Sequence, residues 1–357
     1  MGECIIEIPN LRIDYFKSEL ADKASIVFIF SPSLNRELAG NLYGGGFFNR
    51  LGYHVISIKR SIDDWWQGIS NEVLGKIDSF LISQELEKFK RIGYGSSMGG
   101  YGAILFSNQL KFDECILFSP QYSIAENFDT RWGSIATKIN WKNGISSEKL
   151  RSSCKYTFLC DKYDLDRLHI DKYIQLIRKC KSKSITYYSY GGGHPLSNIL
   201  AEAGVLKETI ELLLSGHFTA FDQRLLRHNS ITYRINIASK AINKKKYNQA
   251  LKALTFKKDN FSLTPEWYHL ASICYEKLGD LNKSADYAAK ASSLDGKNGF
   301  LAYRAAFLYA ACQNSDQALC FFGKATLIDF NTNSKYPHIR MQAMNELKAL
   351  LNKQQYN

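Results

Sequence analysis

The stretch 91-RIGYGSSMGGYGAILFS-107 sets five glycines and two adjacent serines between two apolar runs. Phe89–Tyr94 reads as a short buried strand, and Tyr101–Phe106 as the start of a helix rich in small and apolar residues. Between them, Gly95-Ser96-Ser97-Met98-Gly99 matches G-x-S-x-G, the spacing of a nucleophile elbow. Such a turn holds its central serine in strained backbone. The residues two before and two after must be small, so that strand and helix can approach each other. Gly95 and Gly99 fill those positions, which makes Ser97 the candidate nucleophile. A phosphate-binding loop fits less well: the Walker lysine is absent, and the glycine spacing is not that of a dinucleotide fingerprint.

Outward from this turn, β-rich runs appear at Cys4–Ile8, Leu11–Phe16, Ser25–Phe30, His54–Ile58, Phe89–Tyr94, Glu114–Phe118, Tyr156–Cys160 and Ile185–Tyr190. The first two lie close enough for a hairpin. From the third onward each pair is separated by enough chain for a helical crossover, which predicts an α/β unit with a mostly parallel eight-stranded sheet covered on both faces. Eight strands with an elbow after the fifth resemble the α/β-hydrolase fold, over residues 1–216.

An acyl-transfer serine needs a base, an orienting acid and an oxyanion hole. In α/β hydrolases the chain order is serine, acid, histidine. His194, in the glycine-rich stretch YYSYGGGHPLSNIL after the last strand, is the candidate base. Of the other histidines, His54 falls in a strand, His169 in a helix, and His217, His228, His269 and His338 in the C-terminal part. The acid should follow the seventh strand, where CDKYDLDRLHIDKY supplies Asp161, Asp164 and Asp166. The fold typically places it about four residues past the strand end, which favours Asp164. Asp166 reads as an N-cap or first-turn residue, and Asp161 as a residue that shapes the turn. The resemblance implies oxyanion donors at Met98 N–H and in the loop FIFSPSLNRE. Pro32 has no N–H, so Ser33 is favoured, with Ser31 and Leu34 as alternatives. No HGGG motif is present.

DDWWQG (Asp63–Gly68), GYGSSMGGYGA (Gly93–Ala103) and FSPQYSI (Phe118–Ile124) resemble a set of bacterial α/β hydrolases found with surface-polysaccharide genes. The resemblance implies an acyl hydrolase or transferase. Trp65 and Trp66 are candidate pocket walls, since such aromatics stack on sugar rings; the competing reading has them packing a helix onto the sheet. Gln121 follows the sixth strand, on the edge where open α/β sheets bind ligands, and is a candidate substrate-orienting residue or loop cap. Residues 122–153 occupy the place of a small cap, with Trp132 and Trp141 available to close over a modest ligand. No cofactor motif or metal cluster is visible.

The chain has 357 residues, 45% of them apolar and 22% charged, as expected of a globular protein of two domains. No run of about 18 apolar residues suggests a membrane-spanning helix, and no signal peptide or myristoylation site is visible at the N-terminus. The cysteines (4, 115, 154, 160, 180, 274, 312, 320) form no C-x-x-C pair. They fit free thiols in a reducing cytoplasm. The net charge of +12 is uneven: +2 over residues 1–216 and +10 over 217–357. An acidic partner, a nucleic acid, an anionic surface or a merely solvated basic face all fit that excess.

The C-terminal part, 217–357, repeats with a period of 34. From Pro265 onward, Ala271 aligns with Ala305, Ser272 with Ala306, Tyr275 with Tyr309, Ser284 with Ala318, Ala291 with Ala325, Leu294 with Ile328 and Asp295 with Asp329. Small residues at repeat positions 8, 20 and 27, with Tyr at 11, resemble tetratricopeptide repeats. Shifting back by 34 aligns Ile231–Thr264, where Ala238, Tyr247, Ala250 and Leu254 keep the pattern and Lys257 breaks it. Tyr336–Leu351 reads as a capping helix, which would cover the apolar face of the last repeat. The resemblance implies an all-α solenoid that binds a protein partner, or one that packs on itself or forms a homo-oligomer. Lys244-Lys245-Lys246 falls in an inter-helix turn, and the interleaved aromatic and basic pattern of single-strand binders is missing, so no nucleic-acid partner is expected. Three functions fit the whole: a serine acyl-ester hydrolase, an O-acyltransferase with the same three residues, and a non-catalytic adaptor.

Overall fold

Ser25–Phe30, Lys90–Ser96 and Glu114–Phe118 lie side by side at the centre of the first unit, and nearly every side chain on them is buried. Runs such as SIVFIF and ECILF are apolar at consecutive positions, as a strand requires when helices cover both its faces. In the computed structural model, which describes residues 2–18, 20, 24–34, 37–39, 44–189, 191–218, 229–255, 263–328, 342–346 and 348–349, these strands belong to one eight-stranded sheet.

The strands are β1 (Glu3–Ile8), β2 (Leu11–Phe16), β3 (Ser25–Phe30), β4 (His54–Arg60), β5 (Lys90–Ser96), β6 (Glu114–Phe118), β7 (Lys155–Asp161) and β8 (Lys183–Ser189). Their order is β1-β2-β4-β3-β5-β6-β7-β8. β1 and β2 form the expected hairpin and β2 runs antiparallel to β4, while every other pairing is parallel. This is the mostly parallel sheet of an α/β-hydrolase fold. Tyr190, expected to end the last strand, lies outside the described residues.

Crossover helices cover the sheet. α1 (Gly45–Arg50) follows β3, α2 (Asn71–Ser83) follows β4, and α3 (Met98–Leu105) follows β5. A short α4 (Gly133–Ala136) lies between β6 and β7, and α5 (Asp166–Lys179) follows β7. α6 (Leu196–Glu202) and α7 (Leu206–Leu214) follow β8. Ser70 caps α2 by accepting from the Val73 N–H, which satisfies one of the N–H groups that a helix start leaves unpaired. The core joins both faces: Phe28, Phe30, Trp66, Phe106 and Phe112 on one side, Phe158, Tyr173 and Ile177 on the other.

The chain forms two compact units, Met1–Ser230 and Ile231–Asn357. The first therefore reaches beyond the expected boundary at 216. Tyr187 of β8 donates a hydrogen bond to the Phe218 carbonyl and packs edge-on against the Phe218 ring, which holds that residue to the sheet.

The second unit consists of helix pairs: α8 (Ile231–Asn243) with α9 (Tyr247–Thr255), α10 (Pro265–Lys277) with α11 (Leu281–Leu294), and α12 (Gly299–Ala311) with α13 (Ser315–Leu327). First helices begin at 231, 265 and 299, and second helices at 247, 281 and 315, so the expected period of 34 is that of the helices themselves. Ala238, Ala250, Ala271, Ser284, Ala291, Ala305, Ala318 and Ala325 are all fully buried. Their small side chains let neighbouring helix backbones approach closely. Lys257, Asp329, His228, His338 and most of the expected capping segment 336–351 lie outside the described residues. Of that segment, 342–346 and 348–349 are helical.

Candidate active site

The turn between β5 and α3 has the geometry its sequence predicts. Ser97 has φ 54° and ψ −120°, a conformation that L-residues other than glycine rarely adopt. Its N–H donates to the Phe118 carbonyl of β6. A Cβ on Gly95 would sit 2.3 Å from the Gly99 carbonyl carbon, and a Cβ on Gly99 would sit 2.3 Å from the Phe30 carbonyl oxygen. Both positions therefore demand glycine, as the motif implies.

Ser97 Oγ lies 2.9 Å from His194 Nε2. His194 Nδ1 lies 2.9 Å from each carboxylate oxygen of Asp166. Three residues from the ends of β5, β7 and β8 thus form one hydrogen-bonded chain. The carboxylate on His194 is Asp166, which corrects the expectation of Asp164. β7 runs one residue past the expected end, to Asp161, and the turn that follows exchanges the roles of the two aspartates. Asp164 uses its side chain to accept the Asp166 N–H, the capping task expected of Asp166, and pairs with Arg131 at 2.6 Å. Asp166, at the first position of α5, points inward and is fully buried. Asp161 accepts from the N–H groups of Tyr163, Gly191 and Gly193, so it shapes the turn and also ties down the loop that carries His194.

Electrostatics separates the two aspartates further. Burial alone would raise the Asp166 carboxyl, but the His194 hydrogen bond, the charge of His194 and that of Arg131 hold it below the usual carboxylate range. Asp164 moves the other way: burial and the neighbouring Asp166 charge raise it, against the pull of Arg131.

The candidate oxyanion donors lie where the motif requires. Met98 opens α3, so its N–H precedes the intrahelical ladder. Phe30 and Ser31 lie against Gly99, which brings the start of the loop after β3 to the elbow. Within that loop the Ser31 N–H donates to the Ile58 carbonyl and the Leu34 N–H to Asp63. Of the three donors considered, that leaves the N–H of half-buried Ser33.

Trp65 and Trp66 are not pocket walls, which corrects the sugar-stacking expectation. Both are fully buried, so neither offers a ring face to a ligand. Trp66 donates from Nε1 to the Met98 carbonyl and meets the Phe30 ring edge-on, so it braces the back of the elbow. Gln121 is at the site: its Oε1 lies 3.2 Å from Ser97 Oγ, while its own carbonyl accepts from Tyr173. Its Nε2 is buried without a partner. In the segment between β6 and β7, Trp132 stands edge-on to the His194 ring at 5.4 Å, and Trp141 is 42% exposed beside Tyr101. Of the other histidines, His54 is a buried strand residue bonded to Tyr15, and His169 on α5 pairs with Asp129.

Arg131 and Asp129 are the site residues that sequence reasoning missed. Arg131 reaches Asp129, Asp164 and Asp166 together. No motif marks it. The only signal was its place in the segment where a cap was expected.

No protein-family model and no curated protein sequence matches the chain. Solved structures with a similar fold include a capsule O-acetyltransferase of Neisseria meningitidis serogroup A, at 19% identity and TM-score 0.43, covering 59% of this chain and 93% of that one. Thermogutta terrifontis esterase 2 is similar at 13% identity and TM-score 0.42, covering 62% and 96%. PcrH from Pseudomonas aeruginosa is similar at 13% identity and TM-score 0.30, covering 34% of this chain and 91% of that one. Among the described residues, no helix is long and apolar enough to cross a membrane.

Proposed function

We propose that the first unit is a serine acyl-ester hydrolase. The observation that carries this reading is the chain of 2.9 Å hydrogen bonds from Ser97 Oγ through His194 to Asp166, set on a strained elbow. In this mechanism His194 Nε2 takes the Ser97 proton as Oγ attacks the ester carbonyl carbon. Asp166 accepts from Nδ1–H, holds the imidazole in the tautomer that leaves Nε2 free, and stabilises the imidazolium. The Met98 and Ser33 N–H groups take the oxyanion. His194 returns the proton to the departing alcohol. A water molecule, deprotonated by the same nitrogen, then cleaves the acyl-serine. Gln121 Oε1 holds the Ser97 hydroxyl before attack, and its amide group orients the substrate.

A second reading, acyl transfer to an alcohol acceptor, is favoured by one observation. Ser97 is 6% exposed and the His194 side chain 8%, so the acyl-serine would lie where water access is restricted. For the second unit, the period of 34 residues and the buried alanines support a tetratricopeptide-type module that binds a protein partner.

The test is labelling by a fluorophosphonate, wild type against Ser97→Ala, read as intact mass. A single adduct that disappears in the variant is expected. An adduct that persists in Ser97→Ala overturns the assignment of the nucleophile.

A further inference from the structure

The segment between β6 and β7 does more than lie over the site, because it supplies a third partner to the acid. The inference that follows rests on the acyl-transfer reading of Ser97, His194 and Asp166. Asp166 Oδ1 accepts twice, from His194 Nδ1 and from Arg131 Nη2, both at 2.9 Å. The same guanidinium gives Nη1 to Asp164 at 2.6 Å, and Nε and Nη2 to Asp129. Asp129 is held in turn by His169 Nε2–H, and His169 Nδ1 accepts the Tyr122 N–H. Burial keeps His169 in its neutral form, and Asp129 does not fully offset that. Trp132, next in the chain, lies against the His194 ring. Residues 129–132 therefore touch both the acid and the base.

We propose that Arg131 is a positioning residue for the triad: its fork fixes the Asp166 carboxylate toward His194, and its charge sets the pH range in which His194 can accept the serine proton. A tie that merely packed this segment down would be complete with Asp129, which takes three of the guanidinium hydrogen bonds. The contact with Asp166 is additional, and it reaches a wholly buried carboxylate. Only a planar, permanently charged group can serve three carboxylates at once in this way.

The local charge count gives the direction of the effect. Around His194 stand Asp166 and Asp171 on α5, Asp161, Asp164 and the thiol of Cys160 at the end of β7, Asp129 and Arg131 between β6 and β7, and neutral His169. Ser97, Ser119 and Gln121 complete the surroundings. Asp161 is engaged by three backbone N–H groups. Arg131 is the cation that touches Asp129, Asp164 and Asp166. Without it, three carboxylates hold a proton on the imidazole more tightly, and Asp166 loses a partner that keeps it ionised. Both effects move the acid limb of activity to higher pH. Neutralising Asp164 moves it to lower pH.

The test is the rate of Ser97 phosphonylation against pH in the full chain, for wild type, Arg131→Gln, Arg131→Lys and Asp164→Asn. Arg131→Gln is expected to raise the acid limb by about one pH unit or more, the shift typical of losing a nearby opposite charge, and to lower the plateau rate. Arg131→Lys is expected to restore the limb but not the plateau, because lysine carries the charge without the fork. Asp164→Asn is expected to shift the limb downward. A lowered plateau with an unmoved limb in Arg131→Gln overturns the proposal and leaves the Ser97 reading intact. A wild type without a Ser97 adduct overturns both. Should Arg131→Gln fail to fold, an unmoved limb in both Arg131→Lys and Asp164→Asn overturns the proposal.

Discussion

The two units use their buried positions in opposite ways. In the first, the core is filled by large side chains from distant parts of the chain: Trp65, Trp66, Phe30, Tyr101 and Tyr173 are all essentially inaccessible. In the second, the inaccessible positions are mostly alanine and serine, spaced by the repeat. A repeat buries its apolar face on its sequence neighbours, so small residues at fixed intervals suffice. A sheet joins strands far apart in sequence, and so brings Ser97, Asp166 and His194 to one point. The lesson is that the reactive constellation requires non-local convergence, whereas the repeated unit is built from local interfaces. Substitutions should therefore damage the two units in different ways.

The largest contrast should lie within the first unit. Asp166→Asn keeps the shape but offers His194 the wrong hydrogen-bonding partner. It should lower the Ser97 labelling rate by roughly 10⁴-fold, the scale seen when a triad acid is made an amide. Asp164→Asn, two residues away, should change the plateau rate by less than about tenfold, the equivalent of one pKa unit. Equal losses in the two variants would show that the carboxylates share the role.

Next in size is a substitution confined to the second unit. Ala305→Leu inserts three carbons at a fully buried helix interface and should cost about 1–3 kcal/mol. Thermal unfolding followed by circular dichroism should show that loss, while the phosphonylation rate of the full chain at 25 °C stays at the wild-type value. A parallel fall in labelling would break the contrast between the units.

The smallest effects should be differences in pH response. In the first unit, burial would raise Asp129, but hydrogen bonds from Arg131 and His169 lower it to about 2. A carboxylate with a depressed folded value contributes stability that is complete above its unfolded value and fades as pH falls through the folded one. The stability difference between wild type and Asp129→Asn should therefore be constant above about pH 4 and shrink toward pH 2, as measured by urea unfolding. In the second unit, burial and the nearby Arg304 charge lower His269 to about 4, and its Nδ1 has no partner. A base with a depressed folded value disfavours folding as acid charges the unfolded chain. Wild type should thus lose stability relative to His269→Phe as pH falls from about 6.5 toward 4. A flat difference across that range would count against the burial of a neutral imidazole.

Legibility followed the same division. Ser97 was readable because an elbow forces glycine at two flanking positions, and His194 because a glycine-rich loop follows the last strand. Strand positions were readable from unbroken apolar runs, with ends shifted by a residue or two where Lys59, Arg60 and Asp161 prolong them. The helix starts of the second unit follow directly from its period. Trp65 and Trp66 were ambiguous because a tryptophan pair has the same composition whether it lines a pocket or braces a turn. Arg131 carried no signal because its partners lie 33 and 35 residues away.

The sequence by itself determined which side chains were available for chemistry, the parallel sheet and the helical period. Each depends on local sterics or on a pattern that neighbouring residues impose. Tertiary structure decided which of Asp161, Asp164 and Asp166 meets His194, and that a distant arginine joins them. Three aspartates within six residues share one turn. The direction each carboxylate faces depends on where β7 ends and on which cation and which imidazole the rest of the fold places opposite.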